Sequence, residues 1–161
     1  MSKKKISDFD KLKVRVELIR ESNTPPRPTV TSPLEVVNLV KDLDKKDREH
    51  FLCIHLNTRS VIIGVEEVTI GSLNAAVVHP REVLKGALLN NAAGIILVHN
   101  HPSGDSDPSE DDIEITKRLV KACEIMGIEA LDHIIVGGGN YFSFKEKNIM
   151  PKGDNESCLT K

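Results

Sequence analysis

The sequence predicts a mixed α/β domain, a central sheet flanked by helices on both sides. Three observations carry this reading. Segments of strand period and helix period alternate along the 161-residue chain. One short run, Gly94 to Val98, is apolar throughout, which suits a strand covered on both faces. The composition is 39% hydrophobic but only 3% aromatic, so the core is aliphatic. A chain of this length buries enough of it to fold without disulfides or a structural metal. A metal bound here is therefore expected to be functional.

The elements follow in order. Lys11 to Arg20 alternates, with Leu12, Val14, Val16 and Leu18 on one side and Lys11, Lys13, Arg15 and Glu17 on the other, the pattern of a half-buried strand. Glu21 to Thr29 holds Pro25, Pro26 and Pro28 among polar residues and reads as an extended linker. Residues 1–31 are thus an N-terminal strand and proline-rich linker, 32–150 the main domain and 151–161 a polar tail. Ser32-Pro33-Leu34-Glu35 starts a helix: serine as cap, proline in the first turn, glutamate reaching back. That helix carries Val36, Val40 and Leu43 on one face and ends near Lys46. Phe51–Leu56 and Val61–Ile70 read as strands joined by a hairpin at Asn57-Thr58-Arg59-Ser60.

Pro80 to Leu89 reads as a second helix, with Arg81 and Glu82 in its first turn and Val83, Leu84, Ala87 and Leu88 on one face. After the buried strand, a polar loop from Asn100 to Pro108 leads into a long helix. Ile113, Val120 and Cys123 form its stripe, Ile115, Leu119, Ala122 and Met126 widen it, and Gly127 stops it. Leu131 to Val136 is a further strand, turned by Gly137-Gly138-Gly139-Asn140 into Tyr141–Phe144.

Composition excludes several classes. The net charge of −2 gives no support to nucleic-acid binding. No apolar run approaches the roughly 20 residues of a membrane span. Lys3, Lys4 and Lys5 lack the apolar stretch of a signal peptide. Cys53, Cys123 and Cys158 are odd in number and widely spaced, which suits a reducing, cytoplasmic compartment. Cys53 and Cys123 fall on core faces as small buried hydrophobes; Cys158 lies in the tail.

The chemistry concentrates in His99-Asn100-His101-Pro102-Ser103-Gly104-Asp105-Ser106-Asp107-Pro108-Ser109-Glu110-Asp111-Asp112. Residues two apart on a strand share a face, so His99 and His101 present their imidazoles together. Asp112, in the first turn of the following helix, adds a carboxylate. Three protein ligands with a fourth position for water make a catalytic zinc site, and zinc brings the pKa of such a water from about 15.7 to roughly 7. Two readings of the helix start stay open. Ser109 and Asp112 fit a capping box; Asp107 before Pro108 fits a cap equally well, which would leave Asp112 free as a ligand. Asp105 and Asp111 are spare acidic candidates.

Neighbouring motifs do not fit. The position two residues after His101 is Ser103, not the aspartate of metallo-β-lactamases. No two cysteines lie close enough for a nucleoside deaminase, and the histidines are two apart rather than the four of helical zinc proteases.

His99-x-His101-x7-Ser109-x2-Asp112 resembles the JAMM motif of MPN-type metalloproteases in all four positions and both gaps. The flanks, Val78-His79-Pro80-Arg81-Glu82-Val83, the text after His101 and Leu131-Asp132-His133-Ile134-Ile135-Val136-Gly137, are similar to the bacterial RadC family from about Ser32 to Met150. The resemblance implies a JAMM/MPN, cytidine-deaminase-like architecture and a zinc-dependent hydrolase of peptide or isopeptide bonds, acting on an unknown protein or peptide substrate. It assigns His99, His101 and Asp112 to zinc, and Ser109 to positioning the catalytic water or oxyanion. The general base, at the start of an earlier strand, is by position Glu49, with Glu66 and Glu67 on the next strand as competitors. His79 and His133 lie in family-like text and are expected to fix a turn or a sheet edge. Full-length family members carry an N-terminal helix-hairpin-helix region linked with DNA; the 30 or so residues here read as strand and linker instead. The rival reading is a non-catalytic binding module of DNA repair, recombination or mobile-element complexes.

Overall fold

The computed structural model describes residues 27–71 and 78–152. The expected strand at Lys11–Arg20 and Cys158 lie outside the described residues. The element order is α1 (Pro33–Leu39), β1 (His50–Leu56), β2 (Ile62–Ile70), α2 (Pro80–Leu89), β3 (Gly94–Asn100), α3 (Glu110–Met126), β4 (Glu129–Gly137) and β5 (Asn140–Ser143). The five strands make one mixed sheet in the order β2-β1-β3-β4-β5. β3 and β4 are parallel, with α3 as their crossover; the other pairs are antiparallel. β3, in the middle, is buried along its whole length.

Both hairpin turns are built from their residues. Asn57 Oδ1 accepts from the N–H groups of Arg59 (2.9 Å) and Val61 (3.1 Å), folding the β1–β2 turn around its own side chain. Between β4 and β5, Gly138 (φ 59°) and Gly139 (φ 79°) supply the two positive-φ residues that a two-residue hairpin loop requires.

The sheet has a core on each face. On one, α2 and α3 cover Phe51, Cys53, Ile95 and Leu97 with Val83, Leu84, Ile115 and Leu119. On the other, Val36 of α1 and Leu43 pack over Ile54, Leu56, Ile96, Val98, Ile134 and Val136. Cys53 and Cys123 are buried free thiols, as expected.

Two expectations are corrected. α1 does begin with the capping box of Ser32 and Glu35 but ends at Leu39, not near Lys46. With Val36 as its sole buried residue it lacks the burial that would hold further turns, and Leu43 reaches the core from a separate single 3₁₀ turn over Leu43–Lys45. In α3 the buried line is Asp112, Ile115, Thr116, Leu119 and Cys123; Ile113 and Val120 are only half-buried and Met126 is exposed. Two polar residues belong to the inward face because it borders a polar site, so apolar residues alone misplace the stripe.

Candidate metal centre

The centre forms where β3 ends and α3 begins. His99 is fully buried on β3, and His101 follows directly, its N–H donating to Val136 O at 2.9 Å. The loop beyond is seated by glycine: a Cβ on Gly138 would lie 2.5 Å from Gly104 O, so the β4–β5 turn can touch the loop only as bare backbone. α3 then starts at Ser109. The cap is Ser109, not Asp107, and Asp112 closes the capping box. Capping and ligation do not compete, because a carboxylate has two oxygens. Asp112 Oδ2 accepts from Ser109 N (2.8 Å) and Ser109 Oγ (2.6 Å), while Oδ1 lies 3.1 Å from His99 Nε2. Oδ2 also lies 3.3 Å from His101 Nε2, and the two Nε2 atoms are 3.0 Å apart.

The tautomers of this site follow from its partners. A carbonyl cannot donate, so Thr116 Oγ1 gives its proton to Asp112 O (2.5 Å). Thr116 Oγ1 must then accept from His133 Nδ1 (2.6 Å), leaving His133 Nε2 to accept from His99 Nδ1 (2.9 Å). His99 is thereby held with a bare Nε2. On the other imidazole, His101 Nδ1 donates to Asp105 O (2.7 Å), so its Nε2 is bare as well. Two lone pairs and a carboxylate facing one another at about 3 Å demand positive charge between them. Corners of a tetrahedron about 2.0–2.1 Å from its centre are about 3.3 Å apart, so the donor set fits zinc. His99, His101 and Asp112 are the group among the described residues whose ligand atoms converge in this way.

Electrostatics agree with the geometry. Burial pushes His99 below the usual histidine range, while the Asp112 carboxylate beside its ring raises His101. Burial works against ionisation of Asp112, but the facing His101 and His99 rings, with the Ser109 hydroxyl, overcome it and hold the carboxyl far below its ordinary value. Burial holds His133 neutral. The rings are packed as well as bonded: His99 stacks on Phe51 (centroids 5.9 Å, 16°) and His133 on Phe144 (5.1 Å, 17°).

The remaining candidates separate. Glu49 immediately precedes β1 and is partly buried; Gly71 N donates to its carbonyl at 2.8 Å. Because Phe51 pairs with His99, Glu49, two residues before Phe51, lies at the metal end of the sheet. Glu66 sits on β2 beside His55, 3.9 Å away, and Glu67 pairs with His50 at 2.5 Å. β1 lies between both of them and β3. Asp105 contributes its backbone carbonyl, its side chain capping Asp107 N (3.0 Å), and Asp111 is exposed. His79 does fix a turn, as cap of α2 through Arg81 N (3.1 Å). His133 does not: it lies inside the sheet against His99. Thr116 escaped the sequence reading altogether. Its signal was a hydroxyl four residues past Asp112, on the same helical face.

The class defined by this sheet and donor set is a metallohydrolase-type domain of the JAB kind. The model of the RadC-like JAB domain matches residues 30–149, and the chain belongs to that family. It is 50% identical over 141 residues to a UPF0758 protein of Caldanaerobacter subterraneus subsp. tengcongensis, covering 85% of this chain and 60% of that one. It is 45% identical over 143 residues to a UPF0758 protein of Desulfitobacterium hafniense, covering 86% and 63% respectively. A third relative, from Clostridium acetobutylicum, is 50% identical over 122 residues, 75% of this chain and 53% of that protein. The chain thus spans less than two thirds of the length of these relatives. No helix among the described residues is long and apolar enough to cross a membrane.

Proposed function

We propose that the chain is a cytoplasmic, zinc-dependent hydrolase of an amide bond, peptide or isopeptide, in a protein or peptide substrate. The carrying observation is the convergence of two bare Nε2 atoms and the Asp112 carboxylate at 3.0–3.3 Å. When bound, zinc polarises the scissile carbonyl and acidifies a water. The chain's own residues supply the rest. His99, His101 and Asp112 are the ligands. Glu49 takes a proton from the attacking water on a carboxylate oxygen and passes it to the leaving nitrogen. Ser109 holds Asp112 through its N–H and its hydroxyl; to help hold the oxyanion, the hydroxyl redirects its one proton away from Asp112 Oδ2. His133 and Thr116 keep His99 in its ligating tautomer.

The test is metal analysis of the purified chain together with a panel of linear and branched peptides, for the parent and Glu49→Gln. The expected result is about one zinc per chain in both, with hydrolysis at least about a hundredfold slower in the variant. Loss of zinc in Glu49→Gln would make Glu49 a ligand. Unchanged hydrolysis would move the base elsewhere. A parent that binds zinc, hydrolyses nothing across the panel and captures a nucleic-acid-processing partner would establish the binding-module reading instead.

A further inference from the structure

The β1–β3 ladder runs from Leu56–Gly94 to Phe51–His99 and stops there. Beyond that pair, it is the side chain of Asn100 that reaches β1. Asn100 Oδ1 accepts from His50 N at 2.8 Å, and Asn100 Nδ2 donates to Arg48 O at 2.9 Å. The residue between those two backbone groups is Glu49. Its own carbonyl accepts from Gly71 N at 2.8 Å. Three of the four polar groups of the two peptides flanking Glu49 are therefore fixed, two of them by one fully buried amide. His50 adds a fourth anchor through Glu67.

We propose that Asn100 is a positioning residue for Glu49: its amide clamps the backbone on both sides and so sets where the Glu49 carboxylate lies relative to the metal ligands. This rests on the reading of Glu49 as the base. The chemistry requires an amide. A donor and an acceptor are needed at the same reach, and a carboxylate offers no donor, a hydroxyl is too short and leucine has neither. The location gives the clamp its use. Alternation on a strand sends His99 and His101 one way and Asn100 the other. The three-residue run that carries two ligands thus also carries the arm that holds the base, and the two cannot drift apart independently. A 1 Å misplacement of a catalytic group costs about a hundredfold in rate.

The test uses the full chain loaded with cobalt(II) and carrying ¹³C-labelled glutamate, in the parent, Asn100→Leu and Asn100→Asp. Asn100→Asp keeps the acceptor for His50 N and loses the donor, so it serves if the leucine variant does not fold. We expect full cobalt loading and unchanged paramagnetic shifts at Asp112. The Glu49 carboxyl signal should move or broaden, and the His50 amide should exchange faster with solvent in Asn100→Leu. Where a peptide substrate is found, kcat should fall about a hundredfold with KM unchanged. In a Glu49→Gln background the same substitution should cost nothing further. An unchanged Glu49 signal in a folded, loaded variant overturns the proposal, as does a rate loss that adds to that of Glu49→Gln. Should the parent bind no cobalt, the metal reading fails by itself. The clamp is then judged on the metal-free chain, where unaltered Glu49 relaxation and His50 exchange in Asn100→Leu overturn it.

Discussion

The Asp112 carboxylate is held by the serine that starts its own helix: Ser109 Oγ donates to Asp112 Oδ2 at 2.6 Å and accepts from Asp112 N at 3.1 Å. A device that ordinarily ends a helix cleanly here also aims a ligand. Ser109→Ala should therefore do two things at once. Loss of the cap should lower stability by about 1 kcal/mol in a denaturant titration. Release of the carboxylate should weaken zinc binding by about 10–100-fold in a competition titration against a chelator. A variant that loses stability but binds zinc as tightly as the parent would reduce Ser109 to a cap.

His101 follows β3 at the edge of the site, whereas the apolar cores lie along the faces of the sheet. His101→Ala should abolish stoichiometric zinc yet leave a cooperatively folded domain. With chelator present, parent and variant should melt close together. With zinc at a thousandfold excess over its Kd, the parent alone should gain about 4 kcal/mol. A variant unfolded at room temperature would show that the metal is structural.

Thr116 Oγ1 gives its proton to Asp112 O and is the acceptor that starts the hydrogen-bond chain through His133 to His99. Thr116→Val keeps the shape and removes the hydroxyl. The buried His133 Nδ1–H then lacks its acceptor, which should cost about 1–3 kcal/mol in chelator. Zinc affinity should fall about 10–100-fold, because His99 is no longer confined to the tautomer with a bare Nε2. Unchanged affinity would break the link between Thr116 and the metal.

The far end of β1 carries a separate pH dependence. Asn90 Nδ2 donates to both Gly86 O (3.2 Å) and His55 Nδ1 (2.9 Å), so the His55 proton sits on Nε2, which faces Glu66 at 3.9 Å without a hydrogen bond. Burial lowers the His55 pKa from 6.5 to about 4. Because the folded value is the depressed one, the unfolded chain takes up the proton first as pH falls. The contribution is intact above pH 6.5 and is lost progressively down to about 4. It should amount to roughly 3 kcal/mol in all, at up to about 1.4 kcal/mol per pH unit. Chemical denaturation across this range, with His55→Gln as reference, should show a flatter profile in the variant. Parallel profiles would place the proton uptake elsewhere.

Local chemistry accounts for what was legible before the structure. The capping box at Ser32, the limits of α2 at Pro80 and Leu89, the stop at Gly127 and the two hairpin turns depend on groups within a few residues of one another, and each was readable as such. The pairing of His99 with His101 and Asp112 was legible for the same reason: strand alternation and one loop bring the three together. What only the tertiary structure decided depends on strands distant in the chain. His133 stands 34 residues from His99 and meets it because β3 and β4 lie parallel. Asn100 stands more than 50 residues from Arg48, and its role exists only because β1 and β3 part at Phe51–His99. Even the inward face of α3 was settled this way. Hydrophobicity measures what leaves water, but Asp112 and Thr116 turn inward toward hydrogen-bond partners that lie partly on other strands.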